Sequence, residues 1–115
     1  LPFATRLWED AFYGCRALIS ADFSNLTQID SDVFRYCVAL TRLILRKSDA
    51  VGSLSVNVVV STPIASGTGY IYVPAVLIEE YKVAVRWSNH ASQFRALEDY
   101  TVDGTITGEL DESKI

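Results

Sequence analysis

Glu79 is the side chain in this sequence whose setting most invites chemistry, because it interrupts the apolar face of the run Tyr70 to Trp87, YIYVPAVLIEEYKVAVRW. A carboxylate held among apolar groups has its charged form disfavoured, and the raised pKa that follows suits a general acid or base. The simpler reading is that Glu79 and Glu80 mark a bend that turns its charges to water. Ser88 and His90 suggest a hydrolytic pair, but that reaction needs a nucleophile, a base and an orienting acid in fixed geometry, which neighbouring loop residues do not provide. His90 is the sole histidine, and Cys15 and Cys37, the only two cysteines, lie far apart in sequence. No ligand spacing results, so neither a metal nor a cofactor is expected. The glycines of the stretch 62–69 are followed by no lysine and form no G-x-G-x-x-G, which leaves a connecting loop and not a phosphate cradle.

Two further constellations concern binding. Arg35, Arg42, Arg46 and Lys47 fall along one side of an expected helix, a stripe that would be a solvated face or would contact an acidic partner or nucleic acid. The 29 residues from Ala50 to Ile78 carry no charge. Strand edges are normally kept from pairing with other chains by charged side chains, and this segment has none. Its outward positions, Ser55, Asn57, Val59, Tyr70 and Tyr72, are therefore expected to form a subunit interface.

The elements that would position these groups follow from periodicity. Apolar residues recur at three- and four-residue spacing over about 2–20 and again over 31–47, which predicts two amphipathic helices forming an antiparallel hairpin. Cys15 and Cys37 lie on the apolar sides of these helices, either as two buried thiols or as a disulfide tying them. From residue 53 the period changes to two, and strands are expected at about 53–61, 69–78, 81–88, 100–102 and 105–108, the last two joined by Asp103-Gly104. The run from Tyr70 to Trp87 is too long for one strand and is expected to break between Pro74 and Glu80. Residues 109–115 read as an acidic tail. No internal repeat is evident in the pattern, and the expected fold is one α+β domain, a helix hairpin on a four- to five-stranded, mainly antiparallel sheet.

Composition bounds the function. The chain has 115 residues, half of them hydrophobic, and a net charge of -4 concentrated after residue 58. It contains no methionine, which suggests a processed or trimmed chain, secreted or part of an assembly. The charge-free segment is interrupted by Gly52, Pro63, Gly67, Gly69 and Pro74, so no membrane insertion is expected. The reading that unites these features is a non-enzymatic, self-associating structural or interaction protein, a homo-oligomer and candidate capsid-like shell subunit. The alternative is a small-molecule binder or enzyme with a cone-shaped fold, its pocket lined by Tyr70, Tyr72, Tyr81 and Trp87 and served by Glu79.

Overall fold

The computed structural model describes residues 4–99 and 109–111. Its chain winds in stacked coils, and both of its sheets are parallel throughout. One sheet has the order β1 (Arg6–Leu7), β3 (Gln28–Ile29), β5 (Ser53–Leu54). The second runs β7 (Phe94–Ala96), β6 (Tyr70–Val73), β4 (Arg42–Leu45), β2 (Ser20–Phe23), β8 (Glu109–Asp111). Each of the first three coils contributes one short strand to each sheet, and helical segments among the described residues are few: α1 (Pro63–Ser66), α2 (Ile78–Val83) and three 3-10 segments. The arrangement is α/β-like and corrects the expected fold, since the described residues form neither an N-terminal helix hairpin nor an antiparallel sheet.

Strand register shows why the hairpin does not form. Arg6 pairs with Gln28 and Ser20 with Arg42, both 22 positions apart. The same shift superposes Asp10-Ala11-Phe12-x-x-Cys15-x-Ala17-Leu18 on Asp32-Val33-Phe34-x-x-Cys37-x-Ala39-Leu40, so the first two coils are an internal repeat. The apolar spacing that suggested helices comes from tight turns: Ala11 N–H donates to Trp8 O, Tyr13 to Asp10, Cys15 to Phe12 and Leu18 to Cys15. Each bond spans three residues, so the turns reproduce a near-helical period without propagating a helix.

Left-handed backbone recurs in step with the repeat. Asp10, Asp32 and Asn57 have φ of 61°, 62° and 60°, and Gly14, Tyr36 and Ser61 have 70°, 63° and 61°. Asp, Asn and Gly tolerate this region best, which accounts for the polar residue at the first position of every turn. With those residues placed, the coils bond to one another along their whole length. Asp10, Phe12 and Gly14 N–H groups donate to Ser31, Val33 and Arg35 carbonyls, and those of Asp32, Phe34 and Tyr36 donate to Val56, Val58 and Val60.

Equivalent apolar residues stack between the two sheets. Leu7, Ile29 and Leu54 form one buried column; Ala21, Leu43, Ile71 and Phe94 form another. Phe12 and Phe34 lie ring over ring with centroids 5.6 Å apart. Cys37 is buried and donates its S–H to Phe12 O, while Cys15 is exposed; both are free thiols.

The remaining expected strands are corrected in the same way. Of 53–61 only Ser53–Leu54 is strand, and the rest is the third coil's turn, in which Val58 and Val59 are both buried while Val56 is exposed. The break between Pro74 and Glu80 is present, because β6 ends at Val73 and the chain enters a 3-10 turn (Ala75–Leu77) and then α2. The strand expected at 81–88 is instead the end of α2 and a turn, with Val83 and Val85 exposed. Residues 109–111 of the expected tail form β8, which pairs with Ser20, Ala21 and Asp22. The expected strands 100–102 and 105–108, Asp103-Gly104 and the tail's residues 112–115 lie outside the described residues.

Coil contact also restricts glycine. A Cβ on Gly69 would lie 2.9 Å from Ile64 N and 3.1 Å from Thr41 O, both backbone atoms, whereas one on Gly14 would meet nothing within 4 Å. Gly14→Ala is thus expected to cost about 1–2 kcal/mol, the strain of its left-handed φ alone, and Gly69→Ala more, because backbone must move. Phe34→Ala, at a fully buried stacking position, is expected to cost about 3–5 kcal/mol. Urea unfolding monitored by circular dichroism measures all three.

Candidate functional site

The sequence-predicted candidates are not gathered into one place. Glu79 lies on α2 with its side chain 90% exposed and Lys82 Nζ 3.8 Å from its carboxylate, so it has neither an apolar setting nor a pocket. The apolar setting on which an acid/base role was expected is therefore absent at Glu79. Tyr70 and Tyr72 alternate with the buried Ile71 and Val73 and point outward from the second sheet. Tyr81 and Trp87 point inward, packed on Phe94 with centroids 5.3 and 6.1 Å from it. Trp87 Nε1 donates to Gly52 O at 2.7 Å. The four aromatics expected to line one cavity therefore lie on opposite sides of a sheet.

The basic stripe is dispersed as well, since the helix that aligned it does not exist. Arg35 sits in the second coil's turn with Nη1 3.6 Å from Asp32 Oδ1. Arg42 opens β4 and is half-buried. Arg46 grips the buried Asp22 through two bonds of 2.6 and 2.7 Å, and Lys47 meets Asp49 at 2.8 Å. Arg35, Arg46 and Lys47 are thus paired within the chain. Bidentate Arg–carboxylate pairs of this kind fasten one coil to the next. Arg6 and Asp30 form a second, and the Arg6 hydrogen bonds hold the Asp30 carboxyl below the usual carboxylate range.

Carboxylate oxygens of Glu9, Asp10 and Asp32 come within 4.8 Å of one another. Glu9 and Asp10 are exposed and Arg35 faces Asp32, so ordinary solvation and one ion pair account for them.

Of the expected interface residues, Ser55, Asn57 and Val59 do fall together, in the third coil's turn. Val59 contributes its side chain to the core, Asn57 is exposed and Ser55 is half-buried. What the turn presents is backbone. A trans peptide directs its C=O and N–H to opposite sides, so with the carbonyls of Val56, Val58 and Val60 accepting from the second coil, the N–H groups of Asn57, Val59 and Ser61 point away from it. None of the three has a hydrogen-bond partner among the described residues. Beside them runs a groove of about 300 Å³, walled on one side by Leu54 to Val60 and on the other by Arg86, Asn89 and His90. Arg86 adopts φ 66° and donates from Nη1 to Leu54 O at 3.3 Å.

The groove exists because the fourth coil departs from the repeat. On the second sheet it supplies β7, but on the turn side α2 and a 3-10 segment (Trp87–Gln93) replace the repeated turn and leave the third coil's edge unpaired. The signal in the sequence was Asn57 in the Asp10 and Asp32 position, with no Asx residue beginning a matching turn thereafter. No family model, no curated protein and no solved structure matches the chain.

His90 titrates against burial. Desolvation pulls its pKa below the ordinary histidine value, and no charged neighbour offsets this. Between its folded pKa and the unfolded value of about 6.5, the unfolded chain holds the extra proton. Stability attributable to His90 is therefore intact above about pH 7 and falls as pH drops through that window. His90→Gln is expected to flatten the change in urea midpoint between pH 7.5 and 5, while the losses from Asp30 and Asp49, whose carboxyls are lowered by Arg6 and Lys47, appear only in the more acidic carboxylate range.

Proposed function

We propose that this protein is a non-enzymatic interaction module that associates through the ends of its coil stack, with copies of itself among its partners. The observation that carries the reading is the match between the two ends. The third coil presents N–H donors at Asn57, Val59 and Ser61, and the first presents the carbonyls of Glu9, Ala11 and Tyr13, none of which has a partner among the described residues. Donors and acceptors recur at every second residue, the spacing by which the first three coils already bond. Stacked-coil proteins add units through such nearest-neighbour contacts and need polar caps to stop.

The architecture favours binding over catalysis. A coil of 22 residues, fixed by the Arg6↔Gln28 and Ser20↔Arg42 pairs, with apolar side chains at Leu40, Leu43 and Leu45 around one strand, is of the kind used in leucine-rich solenoids, which act as extended contact surfaces. The strongest acid/base candidate, Glu79, is on α2 with its carboxylate in solvent beside Lys82. No helix among the described residues is long and apolar enough to cross a membrane.

Light scattering over a concentration series tests self-association. The weight-average mass is expected to rise above the 12.7 kDa of one chain as concentration passes through the micromolar range. A mass that stays at one chain up to hundreds of micromolar overturns it.

A further inference from the structure

We infer that the groove between the third coil's turn and the segment Arg86 to His90 is a binding site for an extended polypeptide segment carrying an acidic side chain, which pairs with the coil as an added parallel strand. The inference rests on the interaction reading above and names the ligand of that site.

Three features define the occupant. The first is the donor row: Asn57, Val59 and Ser61 call for carbonyls at alternate residues along one side of a chain, as an extended backbone presents them and as the second-coil and third-coil turns already do. The second is continuity. The second-coil and third-coil turns already occupy the equivalent place on the first and second coils, accepting at the same spacing. A segment in the groove would repeat that contact as a fourth member of the row. The third is charge. Arg86 is the only ionic side chain among the groove's lining residues besides His90, and burial keeps His90 neutral near pH 7. A carboxylate at the start of the added strand would face Arg86, because Arg86 Nη1 already reaches Leu54 O at the start of the turn.

Space and surface agree with this. A groove of about 300 Å³ is too small for a folded domain but accommodates a few residues of strand. Its wall at the exposed Val56 offers apolar contact, and no acid among its lining residues repels an anionic ligand. The charge-free stretch from Ala50 to Ile78 also lacks the lysines and glutamates that keep other chains from strand edges.

The chain's own first-coil turn supplies a probe. A synthetic peptide of residues 8–14, acetylated and amidated, carries Glu9 and Asp10 and the carbonyls of Glu9, Ala11 and Tyr13 in the required spacing. Titrated into the whole protein and followed by amide NMR, it is expected to shift the Asn57, Val59 and Ser61 N–H signals saturably and to slow their hydrogen exchange. Replacing both acids by their amides, or Arg86 by Gln in the protein, is expected to weaken binding by about three- to fivefold, the range of a partly exposed ion pair. Signals at 57, 59 and 61 that stay unmoved at millimolar peptide, or shifts confined to the Tyr70 and Tyr72 face, overturn the inference. An affinity unchanged by both substitutions overturns the acidic preference. If the protein oligomerises while these amides stay silent, self-association stands and the groove assignment falls; if the peptide binds a protein that remains monomeric, the reverse holds.

Discussion

The hydrogen bonds that join each coil to the next are the constraint from which the rest of this structure follows. Because a trans peptide turns its carbonyl and its N–H to opposite sides, a segment that accepts from one neighbour must donate to the other, and the polarity passes unchanged through the stack. Strands built on such a row are parallel, as all the pairs here are. The turns between them must repeat their dihedral angles, which fixes Asp10, Asp32 and Asn57 at left-handed positions. Side chains then stack like on like, so that Phe12 lies over Phe34 and Leu43 over Ile71.

Burial was legible in the second coil and much less so in the first, where Leu7 is buried but Cys15, expected on an apolar side, is exposed. Of the apolar stripe expected within 31–47, Val33, Phe34, Cys37, Leu40, Ile44 and Leu45 are buried, whereas Val38 is exposed and Thr41 half-buried. The inferred helix was wrong because a turn closed over three residues and a helical turn closed over four put apolar side chains at nearly the same intervals. Intrinsic spacing cannot separate them over one segment. Comparison between segments can, since Asp-x-Phe-x-x-Cys-x-Ala-Leu occurs at residues 10 and 32, and a repeat at 22 residues is too short for a helix hairpin to be the unit.

The run from Tyr70 to Trp87 shows where local reasoning held. Pro74 cannot donate to a ladder, and the strand stops one residue before it. Beyond that point alternation misled, because Val83 and Val85 were given to a core strand and are exposed, while Tyr81 and Trp87 are buried through α2 and the segment after it. Glu79 was singled out for interrupting an apolar face; on a helix the face is different, and the carboxylate is solvated beside Lys82. Asn57 and Val59, two of the residues expected at an interface, fall in the third coil's turn, where the open groups are peptide N–H donors that no residue-type argument displays.

Termination is the problem that a polar stack sets itself, and this chain meets it unequally on its two sides. Along the second sheet β7 caps β6, and β8 pairs with β2 at the far edge, so that β4, β6 and β2 are all interior. On the turn side the helical segment that follows β6 takes the place of a fourth turn without offering carbonyls to the third. Trp87 anchors that segment by its bond to Gly52 O, and the packing of Tyr81, Trp87 and Phe94 fixes its distance from the coil. The groove is therefore held open by the core itself, as a row of preset donors whose orientation was settled when the second coil bonded to the third. Such donors need little further ordering when a strand arrives, which is the physical basis for the binding proposed at this edge.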